Sequence, residues 1–374
     1  MTDYARPLRL FQPARFDYGA GSAATVGDWT RQMGFQRVLV LTQGTMLPML
    51  EQLHLPGTFT VFDGVQPEPD TTNLDAALAA ARTAQPDLVI GFGGGSVMDL
   101  AKLVTVLRGD QTLADVIGPD KVHGRQNALA LVPTTAGTGS EAGIRALVTD
   151  AATRNKVAVE SRFLMADMVA LDPDLTRSVP PAVTAATGID AMAHCVESFT
   201  SRKSHPLIDN YARLGIGLVA RYLPRAVEDG TDAEARTALL LAAYYGGICL
   251  GPVNTAAGHA LAYPLGTRLK LPHGLANAII FPHVLAFNQP AVPEKTAEIA
   301  MALGLRSDTP SVLSEDATAW CANLGVNMRL SHHGAREENL APWAQEAHAI
   351  RRLMDNNPRD MSADDVLTLY RAAY

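Results

Sequence analysis

Three short runs in the first half of the chain are apolar at nearly every position: Arg37–Thr42 (RVLVLT), Asp87–Phe92 (DLVIGF) and Ala128–Val132 (ALALV). A strand that buries one face alternates, so unbroken runs of this length predict strands covered on both faces, as in a parallel sheet flanked by helices. Between the first two, Thr71–Ala84 is Ala-rich with a helical period and follows the turn-like Gln66-Pro67-Glu68-Pro69-Asp70. Strand, helix, strand, helix in that order predicts an α/β domain with a parallel sheet. Asp172-Pro173-Asp174 and Pro180-Pro181 then interrupt the chain. Beyond them the strand signal fades, and Ala182–Thr200, Pro206–Tyr222, Ala233–Leu250, Gly274–Asn288 and Pro293–Ala302 all carry a helical period. The expectation is an α/β domain over residues 1–178 followed by an all-helical domain over 179–374.

Composition narrows the class. With 374 residues, 47% hydrophobic and 18% charged, the chain can bury two ordinary cores. The net charge is −7 and there is no basic run, which excludes a nucleic-acid footprint. The N-terminal MTDYARPLRLFQ lacks the apolar core of a signal peptide, and the longest greasy stretch, Ala238–Leu250, is too short to span a bilayer. Cys195, Cys249 and Cys321 are far apart and odd in number, so they read as buried thiols in a reducing compartment. A cytoplasmic protein without a membrane partner is expected.

Two loops offer ligand chemistry. Phe92-Gly93-Gly94-Gly95-Ser96 follows an apolar strand and opens the helical pattern VMDLAKLVTVL. A glycine run there lets a ligand approach the backbone, and the amide groups and dipole of the helix N-terminus favour a pyrophosphate. Asp99, three residues after Ser96, could cap the first turn or contact the nucleotide; the plain alternative is a turn that binds nothing. After the next strand comes Pro133-Thr134-Thr135-Ala136-Gly137-Thr138-Gly139-Ser140-Glu141, whose hydroxyls suit a ligand edge, or a loop ending in a helix cap at Ser140.

A second constellation is metal-like. Asp190 and His194 lie four apart in the helical TGIDAMAHCVESF, so both project from one face. A lone pair at this spacing is an ordinary surface contact. His259 (in GHALAYP) and His273 (in LPHG) change the picture, because both lie in apolar, Gly/Pro-flanked surroundings where an uncompensated imidazole is costly. Each alone could be a hydrogen-bonded core histidine; together, one carboxylate and three imidazoles suit a divalent first-row metal.

At this point the motifs match a family. GGGSVMDLAK (Gly93–Lys102), PTTAGTGSE (Pro133–Glu141), TGIDAMAHCVESF (Thr187–Phe199) and GHALAYPLG with LPHGLANAIIFPHV (Gly258–Val284) resemble the iron-containing, or group III, alcohol dehydrogenases, and FDYGAGSAATVG (Phe16–Gly27) resembles the family's first segment. The resemblance implies a Rossmann-like α/β nucleotide domain followed by an all-helical metal domain of the dehydroquinate synthase-like type, with the active site in the cleft between them. It implies metal ligands at Asp190, His194, His259 and His273, and cofactor contacts at Gly94, Gly95, Ser96, Asp99, Thr134, Thr135, Thr138 and Lys156. It further implies a homodimer that transfers hydride between NAD or NADP and a small alcohol or aldehyde. Four protein ligands would close a tetrahedral zinc site, whereas Fe2+ accepts five or six, which favours iron on geometry; zinc competes on affinity.

Two departures from the family pattern stand out. Tyr263 occupies the place where many relatives carry a second histidine, and a tyrosine there could pass a proton or bind substrate. Gln43, in LTQGT, stands where NAD-preferring relatives place a ribose-binding aspartate, which leaves NAD against NADP open. Arg145, just past the threonine-rich loop, either pairs with Glu141 or Asp150 or recognises a substrate carrying an acidic group. Rival readings are a maleylacetate-reductase-like enzyme, a glycerol-dehydrogenase-like polyol enzyme and a nucleotide-binding regulator without turnover; the intact Asp/His set speaks against the first and the last.

Overall fold

The structure is a computed structural model, and it describes residues 4–107, 109 and 111–374. The chain divides into two compact units, Leu10–Ser178 and Val179–Tyr374, the latter including the N-terminal residues up to Arg9. The guanidinium of Arg6 donates to the carbonyl of Lys203 at 3.1 Å, so residues 4–9 go with the helical unit, whereas the sequence boundary placed them in the α/β unit.

The α/β unit contains β1 (Arg15–Tyr18), β2 (Val38–Leu41), β3 (Thr60–Phe62), β4 (Leu88–Gly93), β5 (Gly118–Pro119), β6 (Ala128–Pro133), β7 (Arg145–Thr149), β8 (Lys156–Glu160) and β9 (Met168–Leu171). Its helices are α1 (Thr25–Met33), α2 (Thr71–Ala84), α3 (Gly95–Val106) and α4 (Leu113–Val116). Six strands form one sheet in the order β1-β9-β6-β4-β2-β3, every pairing parallel. The three apolar runs of the sequence are β2, β4 and β6, side by side at its centre and buried almost throughout. From β2 the chain steps outward to β3, returns to β4 on the other side of β2, and continues away through β6 and β9. The direction therefore reverses between β2 and β4, and open α/β sheets bind ligands at the carboxyl ends of the strands at such a point. One side of the sheet packs Val26 and Trp29 of α1 against Val40, Ile90 and Val132.

A second, three-stranded sheet (β5-β8-β7) had no clear sequence signal. Its β7–β8 pair is antiparallel, with Arg145 opposite Glu160 and Thr149 opposite Lys156. Half-buried strands with charged residues on the outer face lack the apolar runs that identify the central ones.

The second unit is all helical, with α5 (Pro181–Thr200), α6 (Pro206–Glu228), α7 (Ala233–Leu250), α8 (Ala257–Leu269), α9 (His273–Asn288), α10 (Pro293–Leu303), α11 (Pro310–Asn323), α12 (Glu337–His348), α13 (Arg351–Met354) and α14 (Ala363–Ala373). Sixteen of the twenty residues of α5 are buried, so its sequence reads apolar and small on nearly every side. A core joins α8, α9, α12 and α14 through Leu261, Leu265, Ile280, Leu340, Trp343 and Tyr370. The helix α8 is not among the helical stretches read from the sequence; Pro264 falls within it, at the start of its second half. Among the described residues no helix is long and apolar enough to cross a membrane. All three cysteines are buried free thiols.

Candidate functional site

The helical unit brings four distant residues together. Asp190 and His194 lie one turn apart on α5, His259 lies in the first turn of α8, and His273 opens α9. One ligand atom from each lies within 4.8 Å of all the others. The Asp190 carboxylate sits at the centre, with Oδ1 3.6 Å from His259 Nε2 and 3.9 Å from both His194 Nε2 and His273 Nε2. The first three are buried and His273 is about one-third exposed, which leaves one open side.

The donor set fits a cation. Four nitrogen and oxygen ligands at about 2.1 Å from a common ion lie roughly 3.4 Å apart. Asp190 Oδ1 is within a few tenths of an ångström of that spacing from each imidazole nitrogen, and the widest pair in the set, at up to 4.8 Å, closes by a movement of roughly an ångström. His259 Nε2, which faces Asp190, is buried without a hydrogen-bond partner among the described residues, an expensive state for a polar atom. Electrostatics agree. Burial alone would raise the Asp190 carboxyl, but His194, His273 and His259 outweigh it and hold it well below the usual carboxylate range. Burial pushes the His194 ring down to about 4. For His259 burial works against the charged ring, yet Glu197 and then Asp190 prevail and raise it to about 10. An ionised Asp190 carboxylate thus stands beside a neutral His194 ring.

Two supporting residues escaped the sequence reading. Glu197, one turn after His194, accepts from His259 Nδ1 at 2.8 Å and from the backbone amide of Ala256. That contact fixes the His259 tautomer with Nε2 facing Asp190. Gly258 makes room for it, since a Cβ there would run into the Glu197 carboxylate. Asn277, one turn into α9, donates to Asp190 Oδ1 at 2.7 Å and lies 3.1 Å from His273 Nε2. Both stand inside the motifs quoted above, at helical spacing from a ligand, and that spacing was the available signal. Tyr263 follows His259 by one turn of α8, and its ring centroid is 6.0 Å from that of His273.

The cofactor candidates of the α/β unit gather at the carboxyl ends of β2, β4 and β6, adjacent strands. Gln43 follows β2 and pairs with Gly64 in an isolated bridge. Gly94 is the N-cap of α3, with no side chain capping the helix; the Val97 amide donates to the Gly94 carbonyl at 3.0 Å, which leaves the amides of Gly95 and Ser96 as the donors for a ligand. Thr134, Thr135 and Thr138 follow β6, with the Thr134 amide donating to the Gly93 carbonyl at 3.1 Å. A Cβ at Gly95 would lie 2.8 Å from Thr138 Oγ1, so the two loops interlock there. The Ser96 hydroxyl accepts from the Glu68 amide at 3.1 Å, and Lys156 is paired with the Glu68 carboxylate.

Three assignments change. Asp99 neither caps the first turn of α3 nor presents a free carboxylate: it accepts from the Ser140 hydroxyl at 2.6 Å and the Leu147 amide at 2.9 Å, tying α3 to the next loop. Ser140 does not cap a helix; its hydroxyl serves Asp99 and accepts from the buried Lys102 ammonium at 2.9 Å. Arg145 pairs with neither Glu141 nor Asp150. Cross-strand register sets it against Glu160, with Nε donating at 2.6 Å.

Family comparison rests on both units. Residues 13–173 match the family described as iron-containing alcohol dehydrogenase, and residues 184–374 match its C-terminal domain. The chain belongs to the iron-containing alcohol dehydrogenase family. It is accordingly an oxidoreductase acting on CH–OH groups. It is 33% identical to long-chain-alcohol dehydrogenase 1 of Geobacillus thermodenitrificans, over 98% of this chain and 96% of that protein. The structure is similar to an alcohol dehydrogenase from Oenococcus oeni, with TM-score 0.92, 26% identity and coverage of 98% and 100% of the two chains. It is also similar to sulfoacetaldehyde reductase from Bifidobacterium kashiwanohense in complex with NAD+, with TM-score 0.89, 27% identity and 99% coverage of each chain.

Proposed function

We propose that this protein reduces a small aldehyde, and oxidises the corresponding alcohol, using a nicotinamide dinucleotide and a divalent metal, iron before zinc, held by Asp190, His194, His259 and His273. The observation that carries the proposal is the convergence of these four side chains on one buried point with His259 already oriented by Glu197. When bound, such a metal supplies a Lewis acid that polarises a carbonyl or favours the alkoxide of an alcohol. A bound reduced nicotinamide would supply the hydride for the carbonyl carbon, whose oxygen would take one proton to give the alcohol.

The chain's own residues supply the rest. Asp190 contributes the one negative charge of the ligand set, and Asn277 keeps its Oδ1 in place. The Tyr263 hydroxyl accepts from Arg352 at 3.2 Å, which leaves its own proton free to donate. We assign to it the proton that the family's second histidine would handle. In the other unit, the amides of Gly95 and Ser96 hold the pyrophosphate, with Thr134, Thr135 and Thr138 alongside. Gln43 carries no charge to repel a 2′-phosphate, so both NAD and NADP are accepted.

The test is metal analysis of the purified protein combined with reduction of an aldehyde panel by NADH and NADPH. Stoichiometric iron or zinc with metal-dependent turnover supports the reading. His259→Ala and His273→Ala are each expected to lose the metal and the turnover while keeping the fold. Either variant retaining wild-type metal and rate would falsify the site.

A further inference from the structure

Arg352 is an exposed arginine on the short α13, one position after Arg351. The two neighbours differ in what they meet. Arg351 is paired with the carboxylate of Asp355. Arg352 has no carboxylate partner among the described residues; its Nη2 donates to the Tyr263 hydroxyl at 3.2 Å, and its Cζ lies 5.6 Å from the centre of the Tyr263 ring. Tyr263 in turn stands against His273, at 6.0 Å between ring centres, and His273 is the member of the Asp/His set that is not fully buried. A guanidinium without a counter-charge is thus carried on a phenol ring to within two side-chain contacts of the reaction centre.

Resting on the alcohol dehydrogenase reading above, we propose that Arg352 and Tyr263 form a subsite for an acidic group at the far end of the substrate, a carboxylate or sulfonate separated from the carbonyl by a few carbons. Guanidinium presents a planar fork of donors that matches such anions bidentately, and it is weakly hydrated, so it gives up water cheaply for a good partner. The ring of Tyr263 holds the fork by cation–π contact while its hydroxyl uses only one of five N–H donors. The remaining donors are available to an anion. Arg145, the arginine that the sequence offered as a candidate for this role, pairs with Glu160.

The experiment compares 4-oxobutanoate with its methyl ester, two aldehydes of similar shape that differ in charge, in wild type, Arg352→Ala and Arg352→Lys. The wild type should favour the acid, and Arg352→Ala should lower the acid-to-ester ratio of kcat/KM by roughly 10- to 100-fold, mostly through the KM of the acid. Arg352→Lys should recover part of the ratio, because an ammonium keeps the charge and loses the fork. A wild type without preference for the acid, or a ratio that Arg352→Ala leaves unchanged, overturns the subsite. So does a loss in Arg352→Ala confined to the KM of NADPH, which would assign the guanidinium to a cofactor phosphate. Calorimetric binding of 4-hydroxybutanoate to the metal-loaded proteins separates the two readings. If neither aldehyde is reduced, yet this anion binds wild type and not Arg352→Ala, the proposed reaction fails and the subsite stands.

Discussion

At the residue scale, the proposed metal centre depends on a carboxylate outside the Asp/His set. Glu197 accepts from His259 Nδ1, and so decides which ring nitrogen faces Asp190. Ligand-orienting carboxylates of this kind are worth about 10- to 100-fold in metal affinity. Glu197→Gln keeps the shape but offers the ring either an oxygen or an amide, so metal affinity should fall within that range, with less effect on the fold than on the metal. Competition titration with a chelator reads it directly, and unchanged affinity would mean that packing alone positions His259. How far was this centre legible in the sequence? The four converging residues were, because Asp190 and His194 share a helical face and His259 and His273 are imidazoles in apolar surroundings. Glu197 was not singled out, although it is one turn from His194, because a glutamate at helical spacing reads equally well as an outward-facing charge. Only its burial between α5 and α8 distinguishes the two.

At the element scale, the central strands were plain in the sequence because burial on both faces forces apolar residues at every position of β2, β4 and β6. The β7–β8 pair was not, since its burial alternates and its ends carry Arg145, Lys156 and Glu160. That pair matters to the cofactor loops. Lys102 of α3 donates to the carbonyl of Arg145 at 2.8 Å, Asp99 accepts from Leu147, and Ser140 lies between them. The Gly93–Ser96 turn is therefore braced from behind rather than standing alone. Gly95 shows the consequence, because a methyl group there meets Thr138 Oγ1 before it meets any ligand. Gly95→Ala should raise the KM for NADH several-fold, and adding Thr138→Ala should restore part of the loss. Contacting residues couple in this way by about 0.5–3 kcal/mol, whereas independent ones add. Strict additivity of the two substitutions would show that Gly95 acts on the phosphate directly.

At the scale of the whole molecule, stability is linked to charges buried in each unit. Burial raises the Glu141 carboxyl from 4.5 to about 7, and its Oε2 has no hydrogen-bond partner among the described residues. Between those values the folded chain keeps a proton that the unfolded chain has lost, so this group's stabilisation is present at low pH and disappears as pH rises through about 7. Glu141→Gln should flatten that slope: relative to the variant, wild type should lose on the order of 1–3 kcal/mol between about pH 4.5 and about pH 8, read from urea midpoints. Parallel slopes would place the titration elsewhere. The helical unit answers to a different ligand. A cation held by Asp190 would satisfy the orphaned Nε2 of His259, so metal that binds only the folded chain should add about 2.7 kcal/mol when its free concentration is a hundredfold above its Kd. Hydrogen exchange can locate each contribution. Stripping the metal should speed exchange around 190–197 on α5, in the first turns of α8 and around 273–277 on α9, the segments that the ligands join. Adding NADH should slow exchange at 94–99 and 134–141, where the loops meet the cofactor. Metal removal that leaves the three helical segments unchanged would disconnect Asp190, His194, His259 and His273 from the metal, whatever the enzyme's activity.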